Sequence, residues 1–175
     1  RAGFVDTLTA APWHDRVQLH FKDEGRRAHL PSLVPPHTPG AHLYTCGAPR
    51  FMDSVFAAAT ERGWTEDALH REHFSVPDAP AWVNHAFSLQ LARSGRTLQV
   101  PADKSATDVL AEAGLAVPTK CSDGLCGVCA TPYDAAASDA VEHRDFVLSQ
   151  AERATRVILC CSRAEQAGGR LMLDL

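Results

Sequence analysis

The sequence lacks several features, and each absence excludes a class of protein. Its 175 residues contain no apolar run close to the ~20 residues that span a bilayer, and no signal peptide is recognisable. Lys and Arg number 17 against 21 Asp and Glu, and neither half is basic, which argues against nucleic-acid binding. No Gly-x-Gly-x-x-Gly phosphate loop occurs. We therefore expect a cytoplasmic protein with no membrane and no nucleic-acid partner.

Cysteine, in contrast, is present in a pattern that favours a metal centre. Cys121, Cys126 and Cys129 have the spacing C-x4-C-x2-C, and Cys160 follows Cys129 after 30 intervening residues. This is the spacing of plant-type ferredoxins, in which four thiolates bind a [2Fe–2S] cluster. The sequence therefore predicts an iron–sulfur site with three ligands in one loop and a fourth from a distant segment.

Two glycines and the rival kinds of site bear on this prediction. Gly124 and Gly127 allow a tight loop, because glycine adopts positive φ angles readily and leaves N–H groups free to bond sulfur. A structural zinc site is a weaker interpretation of the cysteines than an iron–sulfur cluster, because only one C-x2-C knuckle occurs. Disulfides are also disfavoured, because we expect a cytoplasmic protein. The spacing leaves the fourth ligand open between Cys160 and Cys161. Only one of the two can face the cluster, because adjacent residues of the strand predicted over 157–161 face opposite sides.

The first half of the sequence predicts part of an α/β sheet. Strand patterns occur over 16–21, 41–46 and 68–74. A helix is predicted over 50–62 between the last two strands. The face of this helix that we expect to be buried comprises Phe51, Val55, Ala58 and Ala59.

The second half predicts a small mixed sheet on one helix. Apolar alternation over 87–92 and 97–101 flanks a turn, which is the signature of a β-hairpin. Ser105 is then the predicted N-cap of a helix that ends before Gly114. Strands return after the cysteine loop and end with 170–175, which together indicates an α+β arrangement of the β-grasp kind.

Three segments closely resemble the phthalate dioxygenase reductase family: KCSDGLCGVC (120–129), EHRDFVLSQAER (142–153) and CCSRA (160–164). In that family the last cluster ligand precedes the Arg of a Cys-x-Ser-Arg stretch by three positions. The resemblance therefore implies that Cys160 is the fourth ligand and that Cys161 is not one.

The segments HLYTCGAPRFMDSV (42–55) and ALHREHF (68–74) are similar to the latter part of the family's NAD(P)-binding domain. The resemblance implies that Cys46 and Gly47 lie beside the nicotinamide ring. It also implies that Phe74 stacks on the flavin. Cys46 and Phe74 are thus the catalytic residues that it predicts, and Cys46, Gly47 and Phe74 the cofactor-binding ones.

The His-Arg-Asp triplet and the histidines do not indicate a further functional site. The His-Arg-Asp triplet at 143–145 lacks the other kinase motifs, and we expect it to be an exposed helix-start region with Asp145 near a cap. The nine histidines show no ligand spacing. His70 and His73 stand three apart in a predicted strand and so face opposite sides.

The implied fold is a partial ferredoxin-reductase-like α/β nucleotide-binding domain over 1–76, followed by a linker over 77–85. An α+β β-grasp ferredoxin domain with the [2Fe–2S] cluster then covers 86–175. The chain begins at Arg1 in the middle of a pattern, which predicts that it is part of a longer polypeptide.

By resemblance, the protein is an NAD(P)H-dependent oxidoreductase, the electron-transfer reductase component of an oxygenase system. Its cofactors are NAD(P)H, the [2Fe–2S] cluster and FMN, the last in a domain that this sequence lacks. Its partner is a terminal oxygenase, of the Rieske type or a haem monooxygenase, separate or fused. Leu125, Gly127 and Val128 are expected to cover the cluster where electrons leave. The alternative is a stand-alone ferredoxin-type carrier without reductase activity.

Overall fold

The computed structural model describes residues 3–21, 25, 28–76 and 81–175. Short helices precede the first strand: α1 (Val5–Ala10), a 3₁₀ helix (His14–Arg16) and α2 (Leu30–Leu33). The strand predicted over 16–21 is wrong, because Arg16 ends a 3₁₀ helix and residues 17–21 belong to no strand of the described part of the chain. Their alternate side chains are half-buried, which explains the pattern.

Two parallel strands form the sheet of the first half. Strand β1 (Leu43–Cys46) pairs with β2 (Leu69–Glu72), and the register aligns Cys46 with Glu72. Helix α3 (Pro49–Glu61) connects them, together with a 3₁₀ helix at Glu66–Ala68. Because the strands run in the same direction, both carboxyl ends lie at one edge of the sheet. The strands predicted over 41–46 and 68–74 and the helix predicted over 50–62 are confirmed within a few residues.

The buried face of α3 differs from the predicted one at a single position. Its buried residues are Met52, Val55, Ala58 and Ala59, whereas Phe51 is 44% exposed. Phe51 lies in the first turn and its ring covers Gly47, where an added Cβ would lie 3.2 Å from the ring atom Cδ1. The aromatic ring therefore packs over the end of β1 and Met52 takes the core position.

A three-stranded mixed sheet forms the centre of the second half. The central strand β3 pairs antiparallel with β4 and parallel with β9. Alternate residues of β3, namely Phe87, Leu89 and Leu91, are at most 1% exposed and form the core with α4. The bounds are β3 Phe87–Leu91, β4 Thr97–Val100, α4 Ala106–Glu112 and β9 Arg170–Leu173. The predicted hairpin is confirmed.

Helix α4 begins with a reciprocal capping pair. The Oγ of Ser105 accepts a hydrogen bond from the N–H of Asp108 at 3.2 Å, and Oδ2 of Asp108 accepts one from the N–H of Ser105 at 3.0 Å. Two otherwise unpaired N–H groups are satisfied in this way. Gly114 follows the helix with φ +79°. The predicted N-cap and helix end are therefore confirmed.

Two short antiparallel ladders complete the second half. Strand β5 pairs with β7, and β6 pairs with β8. Cys160 and Cys161 lie in the turn after β7, so the expectation that they belong to a strand is wrong. The bounds are β5 Ala130–Pro132, β6 Val141–Glu142, α5 Gln150–Arg153, β7 Arg156–Ile158 and β8 Arg163–Ala164.

The two halves have separate apolar cores. One core contains Trp64 and residues of α2 and α3, and the other lies between α4 and the β3 sheet; the two share no residue. Of the predicted linker, residues 77–80 lie outside the described residues. None of the helices in the described ranges has the length and apolarity to cross a membrane.

Candidate metal centre

The cysteine loop curls through three residues in the left-handed region. These are Ser122 (φ +64°), Gly124 (φ +74°) and Gly127 (φ +70°). The curl directs the N–H groups of Asp123 and Leu125 at Cys121, and each donates to its Sγ at 3.4 Å. The positive φ angles predicted for the two glycines are confirmed, whereas that of Ser122 was not predicted.

Gly124 occupies the most crowded position of the loop. An added Cβ would lie 2.8 Å from Sγ of Cys161 and 3.1 Å from Cα of Asp145. The carbonyl of Gly124 also accepts a hydrogen bond from the N–H of Phe146 at 3.1 Å. Only glycine leaves enough room for the loop to approach the 144–146 backbone this closely.

The four predicted ligands form two thiol pairs. Cys126 lies close enough to Cys121 to lower its pKa, and the buried thiols of Cys129 and Cys160 shift the pKa of each other. In the described ranges, no group of three or more His, Cys, Asp or Glu side chains is already gathered closely enough to hold a metal ion. The chemistry of the two pairs suits an iron–sulfur cluster, which is held by soft thiolates.

The pKa values of the thiols differ with their surroundings. Burial raises the pKa of Cys121, but hydrogen bonds from the N–H of Asp123, the Cys126 thiol and nearby N–H groups outweigh it and leave the pKa at about 7. The hydrogen bond with Cys160, followed by burial, raises the pKa of Cys129. The bond to Cys129 lowers the pKa of Cys160, but Cys161 and burial raise it to about 12. Because metal binding requires thiolates, cluster assembly releases protons from the buried pair.

Cys160 and Cys161 have different surroundings. Cys160 lies next to Cys129. The half-buried Cys161 instead packs against Gly124, and its Sγ is 3.8 Å from the carbonyl oxygen of Ile158. This placement favours Cys160 as the fourth ligand, which stays a prediction.

The His-Arg-Asp triplet is not the exposed region that the sequence suggested. Arg144 is 6% exposed and Asp145 is 5% exposed. Oδ1 of Asp145 accepts hydrogen bonds from the N–H groups of Val147 at 3.1 Å and Leu148 at 2.7 Å. Burial raises the pKa of Asp145, but the neighbouring His143 ring and these two N–H groups outweigh burial and hold the pKa below its usual value. The backbone of Arg144 and Asp145 packs against Gly124 of the cysteine loop.

The residues predicted for the nicotinamide site lie at the carboxyl edge of the β1–β2 sheet. Cys46 ends β1 and is exposed, and Gly47 follows it at the start of the turn into α3. Phe74 follows β2 by two positions and is 82% exposed. The fold thus brings all three to one edge of the sheet.

A cavity of about 490 Å³ separates this edge from the cysteine loop. Cys46 and Glu72 line one side, and Leu125, Cys126 and Val128 line the other. Leu125 and Val128, two of the three residues expected to cover the cluster where electrons leave, therefore face the first half of the chain. The two predicted sites, which lie far apart in sequence, border the same space.

One histidine pair was missed by sequence reasoning. Nδ1 of His42 lies 2.9 Å from Nε2 of His70, and the ring of Tyr44 stacks on His70 with centroids 4.5 Å apart. Spacing along the chain does not show this pair; only the register that aligns Tyr44 with His70 does. His73 lies beyond β2 and meets Phe146 edge-on at 5.9 Å.

The family model of the 2Fe-2S iron-sulfur cluster binding domain matches residues 89–165. The vanillate O-demethylase oxidoreductase of Pseudomonas sp. strain HR199 is 37% identical over all of this chain and 55% of its own length. Phthalate dioxygenase reductase of Burkholderia cepacia is 34% identical over 98% of this chain and 52% of its own. The chain belongs to the phthalate dioxygenase reductase family. It spans about half the length of these relatives.

Solved structures agree with this family. A structure described as phthalate dioxygenase reductase, with electron transfer from pyridine nucleotides to [2Fe-2S], matches with TM-score 0.57, 34% identity and coverage of 98% of this chain and 52% of the other. An intact type IV self-sufficient cytochrome P450 monooxygenase matches with TM-score 0.68, 35% identity and coverage of 98% and 22%. This member of the reductase family therefore combines a reductase-like first half with a [2Fe–2S]-binding second half.

Proposed function

We propose that this chain is the electron-transfer part of an NAD(P)H-dependent oxidoreductase that serves an oxygenase. The observation that carries the proposal is the shared cavity, which has Cys46 on one side and the cysteine loop on the other. A flavin held at the Cys46 edge would accept a hydride from the nicotinamide and pass its two electrons one at a time to the cluster, and the shared cavity suits that transfer. The names of the two relatives, an oxidoreductase and a reductase, agree with such a role.

The domain division is part of the proposal. Residues 1–76 form part of a ferredoxin-reductase-like nucleotide-binding domain, 77–85 a linker, and 86–175 a β-grasp ferredoxin domain. Two separate apolar cores support the division, as does the mixed sheet on α4.

Cys121, Cys126, Cys129 and Cys160 are the proposed ligands of the [2Fe–2S] cluster. When bound, such a cluster accepts and gives up single electrons. The N–H groups of Asp123 and Leu125 donate to the Cys121 sulfur and stabilise negative charge there. Cys129 and Cys160 are buried, so water has little access to these two thiols. Both effects tune the reduction potential.

Cys46, Gly47 and Phe74 are the proposed nicotinamide and flavin contacts. The Cys46 thiol is small, so it leaves room for a planar ring at the end of β1. Phe74 presents an exposed aromatic face at the same edge, which suits stacking on a flavin. FMN is the proposed flavin.

The proposed partner is a terminal oxygenase. The names of the relatives include a demethylase oxidoreductase and a dioxygenase reductase, and one structural match is an intact type IV self-sufficient cytochrome P450 monooxygenase. A Rieske-type oxygenase and a haem monooxygenase are thus both compatible with the family. Either could be separate from or fused to this polypeptide.

Flavin content and cytochrome c reduction test the proposal directly. We expect the polypeptide from the complete gene to contain FMN and to reduce cytochrome c with NADH or NADPH. A flavin-free protein with no such activity would contradict the proposal and favour a ferredoxin-type carrier. A colourless protein with stoichiometric zinc would contradict both.

A further inference from the structure

We propose that Arg144 is a positioning residue that fixes the cysteine loop at a constant distance from the nucleotide edge. Together with Trp82, Asn84 and Phe146 it forms a set of contacts, the Arg144 seam, that reaches the first half at His73. This inference rests on the proposed function, because it concerns electron transfer across the shared cavity. It assigns a role to the buried side chain of Arg144, which is not among the proposed cluster ligands or the proposed nicotinamide and flavin contacts.

Arg144 ties the end of the linker to the second half. Its Nη1 donates to Oδ1 of Asn84 at 2.6 Å, and its Nη2 donates to the carbonyl of Val83 at 3.1 Å. Its Nε donates to Oε2 of Glu142 at 2.7 Å, and the guanidinium lies 5.4 Å from the ring centroid of Trp82. A buried guanidinium with every nitrogen partnered holds its neighbours in one geometry. Removing the guanidinium takes a hydrogen-bond partner from the half-buried Glu142 carboxylate, the Asn84 amide oxygen and the Val83 carbonyl.

The same residue contacts the cluster side of the second half. The N–H of Arg144 donates to Oγ of Ser162 at 3.3 Å, next to Cys161. Its carbonyl oxygen would be 3.4 Å from a Cβ on Gly124. The backbone of Arg144 is therefore packed against both cysteine-bearing segments, while its side chain holds the linker.

Phe146 extends the seam to the nucleotide edge. Its ring lies 6.5 Å from the ring of Trp82 and 5.9 Å from the ring of His73, centroid to centroid. His73 directly precedes Phe74 at the edge of the sheet. The N–H of Phe146 donates to the carbonyl of Gly124. A continuous set of contacts thus runs from the nucleotide edge to the cysteine loop.

The seam matters because domains joined by a linker move relative to each other unless their interface prevents it. Electron transfer slows steeply with the distance between donor and acceptor. Small misplacements of reacting groups already cost up to about 100-fold in other enzymes. Loosening the seam should therefore slow transfer to the cluster without altering the cluster itself.

The test uses the complete, cofactor-loaded protein with Arg144→Met, and Arg93→Met as the matched control. Arg93 is exposed and pairs with Asp174 at 2.9 Å, and neither residue belongs to the seam. Phe146→Leu is the second variant, which keeps an apolar side chain but removes the ring contacts. Stopped-flow absorption separates flavin reduction by NADH or NADPH from electron transfer to the cluster. Chymotrypsin cleavage after Trp82 reports seam opening without any turnover.

We expect Arg144→Met to slow transfer to the cluster at least about tenfold, with Phe146→Leu slowing it in the same direction. Flavin reduction, iron content and cluster potential should match the wild type, and cleavage after Trp82 should accelerate. Arg93→Met should change none of these. Unchanged transfer and cleavage in both seam variants would overturn the inference, as would a change in cluster potential that accounts for the slower transfer. If the wild type shows no transfer at all, the proposed function fails instead.

Discussion

Gly124→Ala is the substitution for which the structure gives the clearest magnitude. At φ +74° a residue with a side chain costs roughly 1–2 kcal/mol more than glycine. The new Cβ would also lie 3.1 Å from Cα of Asp145, a backbone atom that cannot rotate away. Forcing a methyl group into a packed position of this kind costs about 1–3 kcal/mol. We therefore expect the free energy of unfolding to fall by roughly 2–5 kcal/mol.

Gly95→Ala is the matched control, because Gly95 has φ +67° but no atom within 4 Å of an added Cβ. It should lose only the backbone part, about 1–2 kcal/mol. Urea unfolding of the iron-free chain measures both losses, and the lifetime of visible absorption in urea measures the effect on the loaded site. Adding Cys161→Ala to Gly124→Ala should restore part of the stability, since it removes the sulfur contact at 2.8 Å but leaves the backbone contact. Equal losses for Gly124→Ala and Gly95→Ala would refute the close packing of the cysteine loop on Asp145.

Two further substitutions test the ligand assignment and the fold. Cys160→Ser should lose or damage the cluster while Cys161→Ser retains it, as measured by iron content and visible absorption; the reverse result would exchange their roles. Ser105→Ala removes the capping pair of α4 and should cost about 1 kcal/mol of stability, measured by urea unfolding with the visible spectrum unchanged. No loss of stability would show that the capping pair does not stabilise α4.

Features with a local signal were predictable from the sequence. The hairpin, the Ser105 cap and the glycines of the cysteine loop each depend on a few neighbouring residues. Helix α3 was located correctly, but Phe51 was placed on its buried face. The exchange with Met52 depends on the space above Gly47, which periodicity does not describe.

Features that depend on contacts between distant segments were not predictable. The burial of Arg144 follows from its bonds to Asn84 and Val83, about 60 positions earlier. The pairing of His42 with His70 follows from the register of two strands. The choice between Cys160 and Cys161 could not come from strand alternation, because the chain turns before it reaches them.

Electron paramagnetic resonance of the complete protein, before and after addition of NADH or NADPH, tests the central claim most directly. The account predicts two irons and two labile sulfides per chain, and a reduced-cluster signal that appears on addition of the nucleotide. Cys160→Ser should abolish this signal and Cys161→Ser should not. A cluster-free protein, or a cluster that dithionite reduces but neither nucleotide does, would contradict it.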